Sequence, residues 1–525
     1  MDAEDAHSSA IFIFLGAAIL LTLVSWTERR EPNLKHIPTF GQPGYILSYF
    51  DAFTFTISGL SKLQRGCDKY RPRIFKVATL SRWLVIVTGP QHVEELRKAT
   101  EEELSVVEPT TGHFYAAIPK YTNQSIRYMT QHVENLIPDL SDELIHVLHY
   151  AIPFTPAGES AAWKGLDAVE FVTLITTSTI NRMTVGVLFT REMDYAFRSA
   201  ALARKVFVDT PSIISSLLPD IFKSFFRALS PVQARRRIMK TMLVRYIKAK
   251  KNIHDRGDSH EPNGETMLSW MLTNEQFKTM SNEEIASSIL DFSVTSFQRI
   301  SIVRPPRTHS PIATSLNIFS KDFANALYYL AASPKHAVPM RREIEGVIKR
   351  EWWSKDAINR MRKVDSFLKE SMRMGNASSL SVIRKTLKPF TFLDGTCLPT
   401  GTVLAVATPP QHLDANLQSS PDEFDGFRFS RLHEQEHGSE RMLGGGGGMR
   451  YQLVATSPDF LAWGYGRHAC PARFMAAMVL KTIFIHLVLK YDVRFEDGVR
   501  PEDRPAGLRD LPNPNVKILI RPRPL

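Results

Sequence analysis

The spacing of hydrophobic residues predicts helices through most of the middle of the chain. Between about residues 130 and 370, segments such as PDLSDELIHVLH and MRREIEGVIKR carry apolar side chains three and four positions apart. Because this spacing places the apolar side chains on one face of a helix, these segments are predicted to be amphipathic helices. No unit repeats with a period of roughly 20 to 50 residues, which excludes a solenoid or a propeller.

Short apolar runs predict a smaller sheet region. Residues 73–78 and 83–88 (RIFKVA and WLVIVT) form a predicted hairpin, and Pro90 begins the helix that follows it. Residues 382–406 return to short strands and turns, and residues 513–521 (NPNVKILIR) predict a closing strand. The predicted fold class is therefore mainly α with a minor β region.

The chain opens with an uncharged apolar run over residues 10–26, AIFIFLGAAILLTLVSW, whose 17 residues are at the short limit for crossing a bilayer. A cleaved signal peptide is the alternative. The segment before the run is acidic, however, and the basic pair Arg29-Arg30 follows it, which is the reverse of a signal peptide. We therefore predict an uncleaved membrane anchor over residues 1–30. Residues 31–525 form one large domain, which the basic pair places in the cytosol.

Composition is that of an ordinary globular protein, since 43% of the 525 residues are hydrophobic and 23% are charged. This excludes a disordered, fibrous or collagen-like chain. The formal net charge is +11, and the densest basic stretch, residues 235–251, lacks the aromatic residues needed for base stacking, so nucleic acid is not an expected partner. We interpret the stretch first as a solvated helix face and second as a membrane or partner face. The three cysteines, Cys67, Cys397 and Cys470, are too few for a disulfide framework or a four-cysteine zinc site.

One of these cysteines stands in a setting that favours metal binding. In the segment FLAWGYGRHACPARF, a glycine-rich loop delivers Cys470 to the start of a predicted helix over residues 472–490. Glycines allow backbone amides to approach the sulfur closely, and the helix N-terminus together with Arg467 favours a thiolate over a thiol. A thiolate so placed is a suitable soft ligand for haem iron. A cysteine without this context is most often a small buried hydrophobe.

This segment resembles the haem-binding signature of the cytochrome P450 superfamily, Phe-x-x-Gly-x-Arg-x-Cys-x-Gly. It is most similar to the version found in fungal microsomal members of the ent-kaurene-oxidase-like kind. Gly466 and Cys470 match the general signature in register, whereas Trp463 stands where Phe is usual and Ala472 stands where Gly is usual. His468 stands where the general signature has the Arg that binds a haem propionate. The resemblance implies that His468 takes this role, with Arg467 beside it.

The resemblance covers essentially the whole chain and implies roles for other charged residues. Glu370 and Arg373, three apart on a predicted helix, would form a buried structural cluster with Arg428 in PDEFDGFRF. Arg384, in SVIRKTLKPFTF, occupies the family's position for a second propionate contact. Arg127 matches a further propionate-binding arginine only in part, because the Trp that the family places before it is missing. Taken one at a time, each of these residues is equally well explained by a surface salt bridge.

The implied protein is a haem-thiolate monooxygenase with the cytochrome P450 fold, preceded by an N-terminal transmembrane helix. Its implied cofactor is haem (iron protoporphyrin IX) with an axial Cys thiolate, and its implied partners are O2, an NADPH-cytochrome P450 reductase, membrane lipid and a lipophilic substrate. A terpenoid of fungal secondary metabolism is one such substrate. The implied location is the endoplasmic reticulum membrane, crossed once, with the catalytic domain in the cytosol. A basic face around Arg467, Arg473 and Lys481 would suit an acidic reductase.

The helix that handles oxygen in this family departs from the pattern. The family places an acid or a His directly before a Thr, whereas residues 289–298 (ILDFSVTSFQ) offer Thr295 and Ser296 as the available hydroxyls without that acid. Asp291 lies one turn before Thr295 and so shares its face of a helix. These two hydroxyls are the predicted catalytic residues.

Residues 299–319 (RISIVRPPRTHSPIATSLNIF) contain three prolines, which no continuous helix accommodates. We predict an insertion here, for which an unspliced intron is one explanation. Two alternative functions stay open as a result: a haem-binding pseudoenzyme inactivated by the insertion, and a non-redox haem-thiolate isomerase or dehydratase. A membrane-tethered interaction protein without haem would leave the Cys470 loop unexplained.

Overall fold

The computed structural model describes the chain in segments. These are residues 33–42, 45–79, 82–106, 120–152, 162–191, 231–255, 266–296, 318–375, 379–440, 449–505, 508, 510–513 and 515–523. The predicted anchor over residues 1–30 lies outside them, and so does the predicted insertion over residues 299–319 except for its last two residues. Within the described segments, no helix combines the length and the apolar character that crossing a membrane requires.

Helices make up most of the described chain, as the spacing of apolar residues predicts. In chain order they are α1 (Tyr45–Tyr70), α2 (Pro90–Lys98), α3 (Lys120–Gln131), α4 (Val133–Ala151), α5 (Ala168–Val185), α6 (Val187–Thr190), α7 (Pro231–Asp255), α8 (Met267–Thr273), α9 (Asn282–Ser296), α10 (Ile318–Ala332), α11 (Ala337–Glu351), α12 (Lys355–Arg360), α13 (Arg362–Met374), α14 (Thr408–His412), α15 (Arg428–Glu440) and α16 (Arg473–Lys490). A short 3-10 turn, Gly466–His468, precedes α16. The predicted fold class, mainly helical with a minor sheet, is confirmed.

The strands are short. They are β1 (Thr39–Phe40), β2 (Phe75–Ala78), β3 (Trp83–Val87), β4 (Leu104–Ser105), β5 (Lys164–Asp167), β6 (Leu380–Thr386), β7 (Phe390–Thr391), β8 (Cys397–Leu398), β9 (Val403–Ala407), β10 (Tyr491–Arg494), β11 (Arg504–Pro505), β12 (Asp510–Leu511) and β13 (Lys517–Pro522). The largest sheet has the order β1-β2-β3-β9-β6-β4, and β10-β13-β5 form a second sheet. The predicted hairpin is present as antiparallel β2 and β3, and the predicted closing strand is β13.

Two helices near the C-terminal half of the chain are buried almost all round. In α16 the buried positions run from Met475 to Val488 with one exception, and in α13 they run without a break from Val364 to Arg373. Helix α16 belongs in the core of a large domain, since its buried residues are apolar apart from Lys481, Thr482 and His486. Helix α13 buries more charged side chains, and such residues are rarely buried unless they are paired. These charged side chains support the candidate site.

The basic stretch over residues 235–251 lies on α7, as predicted. Met239, Leu243 and Ile247 follow one another at intervals of four residues and are buried, whereas Arg237 and Arg245 are exposed. A helix with one buried apolar stripe and its arginines in water has the arrangement of an ordinary amphipathic surface helix. This agrees with the first interpretation of the stretch, a solvated helix face.

Helical structure is present on both sides of the predicted insertion. Helix α9 ends at Ser296 and α10 begins at Ile318, so its first two residues are the last two of the predicted insertion. Helix α10 is packed against α13, with Phe323, Leu327 and Ala331 fully buried at intervals of four residues. The segment after the insertion is therefore a core helix of the domain.

Candidate functional site

Cys470 is held by a loop that closes on itself. Its backbone N–H donates to the carbonyl oxygen of Trp463 at 2.7 Å, and the Trp463 indole N–H donates to the carbonyl oxygen of Leu453 at 2.7 Å. Gly464 and Gly466 have φ angles of 75° and 71°, which lie in the left-handed region that favours glycine. The loop therefore presents Cys470, half-buried and with a free thiol, three residues before α16 begins.

Gly466 is needed for a second reason. A Cβ built at this position would lie 2.6 Å from Cγ of Arg97, a side chain of α2. Real Cβ atoms do not approach another carbon so closely, so any larger residue at 466 would push the loop away from α2. The two glycines of the signature thus serve both the turn and the close contact between loop and helix.

Polar contacts dock the Cys470 loop on α2 and the residues after it. The Tyr465 hydroxyl donates to Oε2 of Glu94 at 2.8 Å, and Nη2 of Arg467 donates to the carbonyl oxygen of Ala99 at 2.9 Å. Hydrogen bonds from Arg97 above all, together with one from Tyr465, outweigh the opposing effect of burial and lower the pKa of Glu94 to about 2. Glu94 is therefore ionised throughout the physiological range and remains a fixed acceptor for the loop.

The predicted propionate-binding residues differ in how far they are buried and in how close they lie to the Cys470 loop. Arg384 is buried on β6, and its charge is one cause, after burial, of a lowered pKa at His468, so the two side chains lie near each other. The His468 Nε2 forms an ion pair with the carboxylate of Glu101. Arg467 is exposed apart from its bond to the loop after α2, and Arg127 is exposed on α3. The structure thus brings Arg384 and His468 together beside the Cys470 loop and leaves Arg127 on the surface.

The predicted structural cluster is assembled and almost fully buried. Glu370, Arg373 and Arg428 expose 0%, 1% and 6% of their surface. The Arg373 guanidinium donates two bonds of 2.8 Å to the Glu370 carboxylate, and Arg428 Nε donates a third at 3.1 Å. Backbone carbonyl oxygens of residues 419–423 and of His412 accept from the other guanidinium nitrogens. A buried carboxylate costs much less when its oxygens are paired in this way.

Other charged residues of α13, which the sequence reasoning did not single out, support the segment before the Cys470 loop. Lys369 Nζ donates to the carbonyl oxygens of Arg450 and Gln452, each at 3.0 Å, and lies 4.6 Å from the ring centres of Phe429 and Phe460. Burial lowers the pKa of Lys369 to about 8. The signal available in the sequence was a lysine directly beside Glu370, which is too common a pattern to interpret.

The position of Lys481 contradicts the prediction that it belongs to a basic surface for a reductase. It is buried on α16 and forms an ion pair with Asp365 of α13, whose other carboxylate oxygen accepts from the backbone N–H of Leu453 at 2.6 Å. Lys481 therefore cannot belong to a basic face for a reductase. Arg473 is half-buried and donates to the carbonyl oxygen of Cys470 at 3.1 Å, while Arg467 stays exposed.

Thr295 and Ser296 lie in the last turn of α9, and their backbone is helical. Their side chains, like that of Asp291, fall outside the description, so their catalytic role stays a prediction. Helix α9 packs on α5 and α7. This fixes the helix that carries the two residues within the domain.

The residues around Cys470 suit a haem with a thiolate ligand. Cys470 is a free thiol in a loop that presents it, Arg384 supplies a positive charge near His468, and the lowered pKa of His468 makes this imidazole a neutral hydrogen-bonding group. The pairing of His468 with the Glu101 carboxylate shows that this imidazole accepts an anionic partner of the same chemical type as a haem propionate. Within the described residues, no cluster of three or more His, Cys, Asp and Glu side chains offers a competing metal centre. The donor set is therefore that of a haem-thiolate protein.

Comparison with known proteins leads to the same class. The sequence model of the cytochrome P450 family matches residues 320–521. The chain is 30% identical to cytochrome P450 monooxygenase 110 of Postia placenta, over 98% of both chains. It is 27% identical to the cytochrome P450 monooxygenase CYP512U6 of Ganoderma lucidum, over 99% of this chain and 97% of that one, and 27% identical to an ent-kaurene oxidase of Gibberella intermedia, over 100% and 94%.

The chain belongs to the cytochrome P450 family. The resemblance drawn from the Cys470 segment, including its likeness to fungal ent-kaurene oxidases, is confirmed. The predicted enzyme class, a monooxygenase, and the predicted cofactor, haem with a Cys thiolate ligand, are those of this family.

Proposed function

We propose that this protein inserts one oxygen atom from O2 into a lipophilic substrate, using electrons that an NADPH-dependent reductase delivers one at a time. The observation that carries the proposal is the presentation of Cys470, a free thiol on a closed loop that is fixed to α2 on one side and supported by α13 on the other. Relatives that match nearly the whole chain are named as monooxygenases and as an ent-kaurene oxidase, which supports the same reaction class.

Cys470 and the charged residues around its loop each have a proposed role. Cys470 is the axial ligand, and Arg384 and His468 hold the propionates, Arg384 as a buried cation and His468 as a hydrogen-bonding imidazole on the loop itself. Glu370, Arg373 and Arg428 keep the supporting segment in place. When bound, haem supplies the O2 chemistry, while the protein binds, orients and excludes water. Arg127, being exposed, has the weakest support for a propionate contact.

Proton delivery is proposed for the hydroxyls of Thr295 and Ser296, because α9 carries them at the place where the family has its proton-delivering Thr. A hydroxyl alone shuttles a proton less effectively than a hydroxyl beside an acid, since general acid-base catalysis depends on a group whose pKa lies near the working pH. We therefore expect slow turnover unless Asp291 supplies that acid.

The substrate is proposed to be a bulky lipophile of the terpenoid class. The support is the activity after which two relatives are named, ent-kaurene oxidases that are 27% identical over the whole chain. The proposed location is the endoplasmic reticulum membrane, with residues 1–30 as the anchor and the domain in the cytosol. The uncharged run over residues 10–26 and the basic pair after it support this arrangement.

A second candidate function is a haem-binding pseudoenzyme. The observation that favours it is the separation of α9 from α10 by residues 297–317, a stretch with three prolines that cannot form one continuous helix. In that case the supports of Cys470 remain intact while proton delivery fails. A non-redox isomerase or dehydratase would share the same feature and would consume no NADPH.

The test begins with the spectrum of the purified full-length protein, reduced and exposed to carbon monoxide. A thiolate-type Soret band is expected, and its absence in protein that carries haem would contradict the proposal. NADPH consumption with a fungal reductase and a panel of diterpenes and triterpenes then separates the candidates. Substrate-dependent consumption with an oxygenated product supports the monooxygenase, a thiolate-type band without consumption supports the pseudoenzyme, and product without consumption supports the isomerase.

A further inference from the structure

His412 lies between the buried ion cluster and the start of the Cys470 loop. It is the last residue of α14 and has no exposed surface. Its Nδ1 lies 3.2 Å from the carbonyl oxygen of Arg373, and its Nε2 lies 2.8 Å from the backbone nitrogen of Leu461. Its ring is stacked on Phe460, with 5.3 Å between centres and 4° between planes. A single side chain therefore contacts the last turn of α13 and the first residues of the loop.

The two partners determine the form of the imidazole. The Leu461 backbone nitrogen is a donor, so Nε2 must accept, and the Arg373 carbonyl is an acceptor, so Nδ1 must carry the proton. Both requirements are met only by the neutral ring with its proton on Nδ1. Burial is the main reason why the pKa of His412 falls to about 3. Among the nearby charges, those of Arg373 and Lys369 also lower this pKa, whereas that of Asp459 raises it.

Leu461 is held at both of its backbone polar groups. His412 accepts from its N–H, and the Ser381 hydroxyl donates to its carbonyl oxygen at 3.1 Å. Ser381 is in turn fixed by the Thr408 hydroxyl at 2.8 Å. The Gly464 N–H also donates to the Leu461 carbonyl oxygen, at 2.9 Å, so the clamp on Leu461 leads directly into the turn that presents the cysteine.

The connection runs without a gap from the ion cluster to the cysteine. Arg373 binds Glu370 through its guanidinium, donates from Nη1 to the His412 carbonyl oxygen at 3.1 Å, and accepts from the His412 ring at its own carbonyl. His412 holds Leu461, and Leu461 is two residues before Trp463, whose carbonyl oxygen accepts from the Cys470 N–H. Apart from the two covalent steps along the chain from Leu461 to Trp463, each link is a hydrogen bond between buried or half-buried groups.

We propose that His412 is a positioning residue for the haem ligand: it transfers the fixed geometry of the Glu370–Arg373–Arg428 cluster to Leu461 and thereby sets the position of the Cys470 sulfur. The inference rests on the proposed function, since it concerns how the sulfur of Cys470 is placed for iron. Its consequence is that His412 affects the balance between a thiolate-ligated and a thiol-ligated iron without touching either the haem or the sulfur itself.

The main variant is His412→Phe, which keeps a planar ring to stack on Phe460 and removes both hydrogen bonds. The matched control is His486→Phe. His486 is also buried, has a pKa lowered to about 3 by burial, stacks on Trp353 with ring centres 4.6 Å apart, and has one side-chain partner, Ser141 at 3.1 Å. It lies on α16 about 20 Å beyond the helix start, at 1.5 Å per residue. The control therefore reproduces the loss of a buried histidine far from the loop.

The measurement is the reduced, carbon-monoxide-bound spectrum, read as the ratio of the thiol-type to the thiolate-type Soret band, together with thermal unfolding and the reduction potential. For His412→Phe we expect the ratio to rise about tenfold, the effect of roughly one buried hydrogen bond, and the potential to rise as thiolate donation weakens. For His486→Phe we expect lower thermal stability with the ratio and the potential of the wild type. His412→Gln, which offers both a donor and an acceptor, should restore most of the wild-type ratio.

Equal wild-type ratios in His412→Phe and His486→Phe would overturn the inference and leave the proposed function standing. A wild-type protein that shows no thiolate-type band, or a Cys470→Ala variant that keeps one, would instead remove the proposed function and this inference with it. If His412→Phe does not fold, Ser381→Ala decides, with His412→Gln as its control. Ser381→Ala releases the other side of Leu461 and is expected to raise the ratio by a smaller factor, while His412→Gln should stay near the wild-type ratio; a wild-type ratio in Ser381→Ala would overturn the inference.

Discussion

The region that presents Cys470 follows the sequence pattern of the cytochrome P450 family more closely than helices α9 and α10 do. Around Cys470 the loop, α2, α13 and α14 form a continuous set of buried hydrogen bonds and ion pairs that also reproduces the family's charged residues. Helix α9 carries two hydroxyls without the family's preceding acid, and a proline-rich stretch separates it from α10. We therefore predict that binding the cofactor and turning over substrate depend on different parts of the chain, so that one can be lost without the other.

The largest effect is expected from Cys470→Ala. The methyl group cannot ligate iron, so the thiolate-type band of the reduced carbon-monoxide complex should disappear completely. The loop itself should remain, because its closing bond uses the backbone N–H of residue 470 rather than the thiol. Cys397→Ala, which alters another free and partly exposed thiol, is the control and should keep the full band. A persistent band in Cys470→Ala would show that another residue ligates the haem.

The next largest effect is expected from Glu370→Ala, which leaves two arginines buried without their carboxylate. Breaking a buried ion cluster by removing one partner costs about 3–5 kcal/mol. Urea denaturation of the haem-loaded protein measures the loss. Glu283→Ala is the control, since Glu283 forms a surface pair with Lys240 at 3.2 Å, and a pair of this kind contributes about 0–1 kcal/mol. A loss below about 1 kcal/mol for Glu370→Ala would mean that the cluster does not support the fold.

A comparable effect, confined to turnover, is expected when the two hydroxyls of α9 are removed. If the hydroxyls of Thr295 and Ser296 deliver protons, the double variant Thr295→Val/Ser296→Ala should form product about a hundredfold more slowly. This is the lower end of what general acid-base catalysis contributes. The carbon-monoxide spectrum should not change, because the Cys470 region is untouched. Unchanged product formation would remove both residues from the mechanism, whereas a changed spectrum would contradict the independence of the two regions.

A smaller effect concerns acid stability. Burial lowers the pKa of His486 from 6.5 to about 3. The unfolded chain therefore binds a proton here below pH 6.5, whereas the folded chain does not bind it until the pH falls to about 3. Its contribution to stability is therefore complete above pH 6.5 and is lost progressively as the pH falls toward about 3. His486→Phe should show a flatter fall in the free energy of unfolding across this window than the wild type. Parallel curves for the two proteins would contradict a neutral buried His486.

The smallest effect is expected from Arg467→Ala. Arg467 is exposed and holds the loop through one bond to the carbonyl oxygen of Ala99, so the haem spectrum should stay that of the wild type. If its charge helps to attract an acidic reductase, the rate of haem reduction should fall a few-fold at low salt, and the difference should vanish at high salt. A salt-independent difference would point to a changed loop instead.

Much of the site was predictable because its signals are local in the sequence. Glycines 464 and 466 beside Cys470, the pattern of α16 and the three-residue spacing of Glu370 and Arg373 each indicate their own geometry. Arg428, Arg384 and His468 were found through resemblance to a family rather than from spacing alone. The hairpin β2–β3 was predicted from two short apolar runs, and the helix after it from a proline at a first helical turn.

What the sequence determined by itself is the position of several helices and strands and the glycine-rich setting of Cys470, since both depend on neighbours within a few positions. Only the tertiary structure decided that Lys481 pairs with Asp365 in the core instead of facing solvent, and that His412 joins Arg373 to Leu461. The reason is physical. The state of a charged or titratable side chain depends on burial and on partners tens of residues away, and those are settled only when the helices pack.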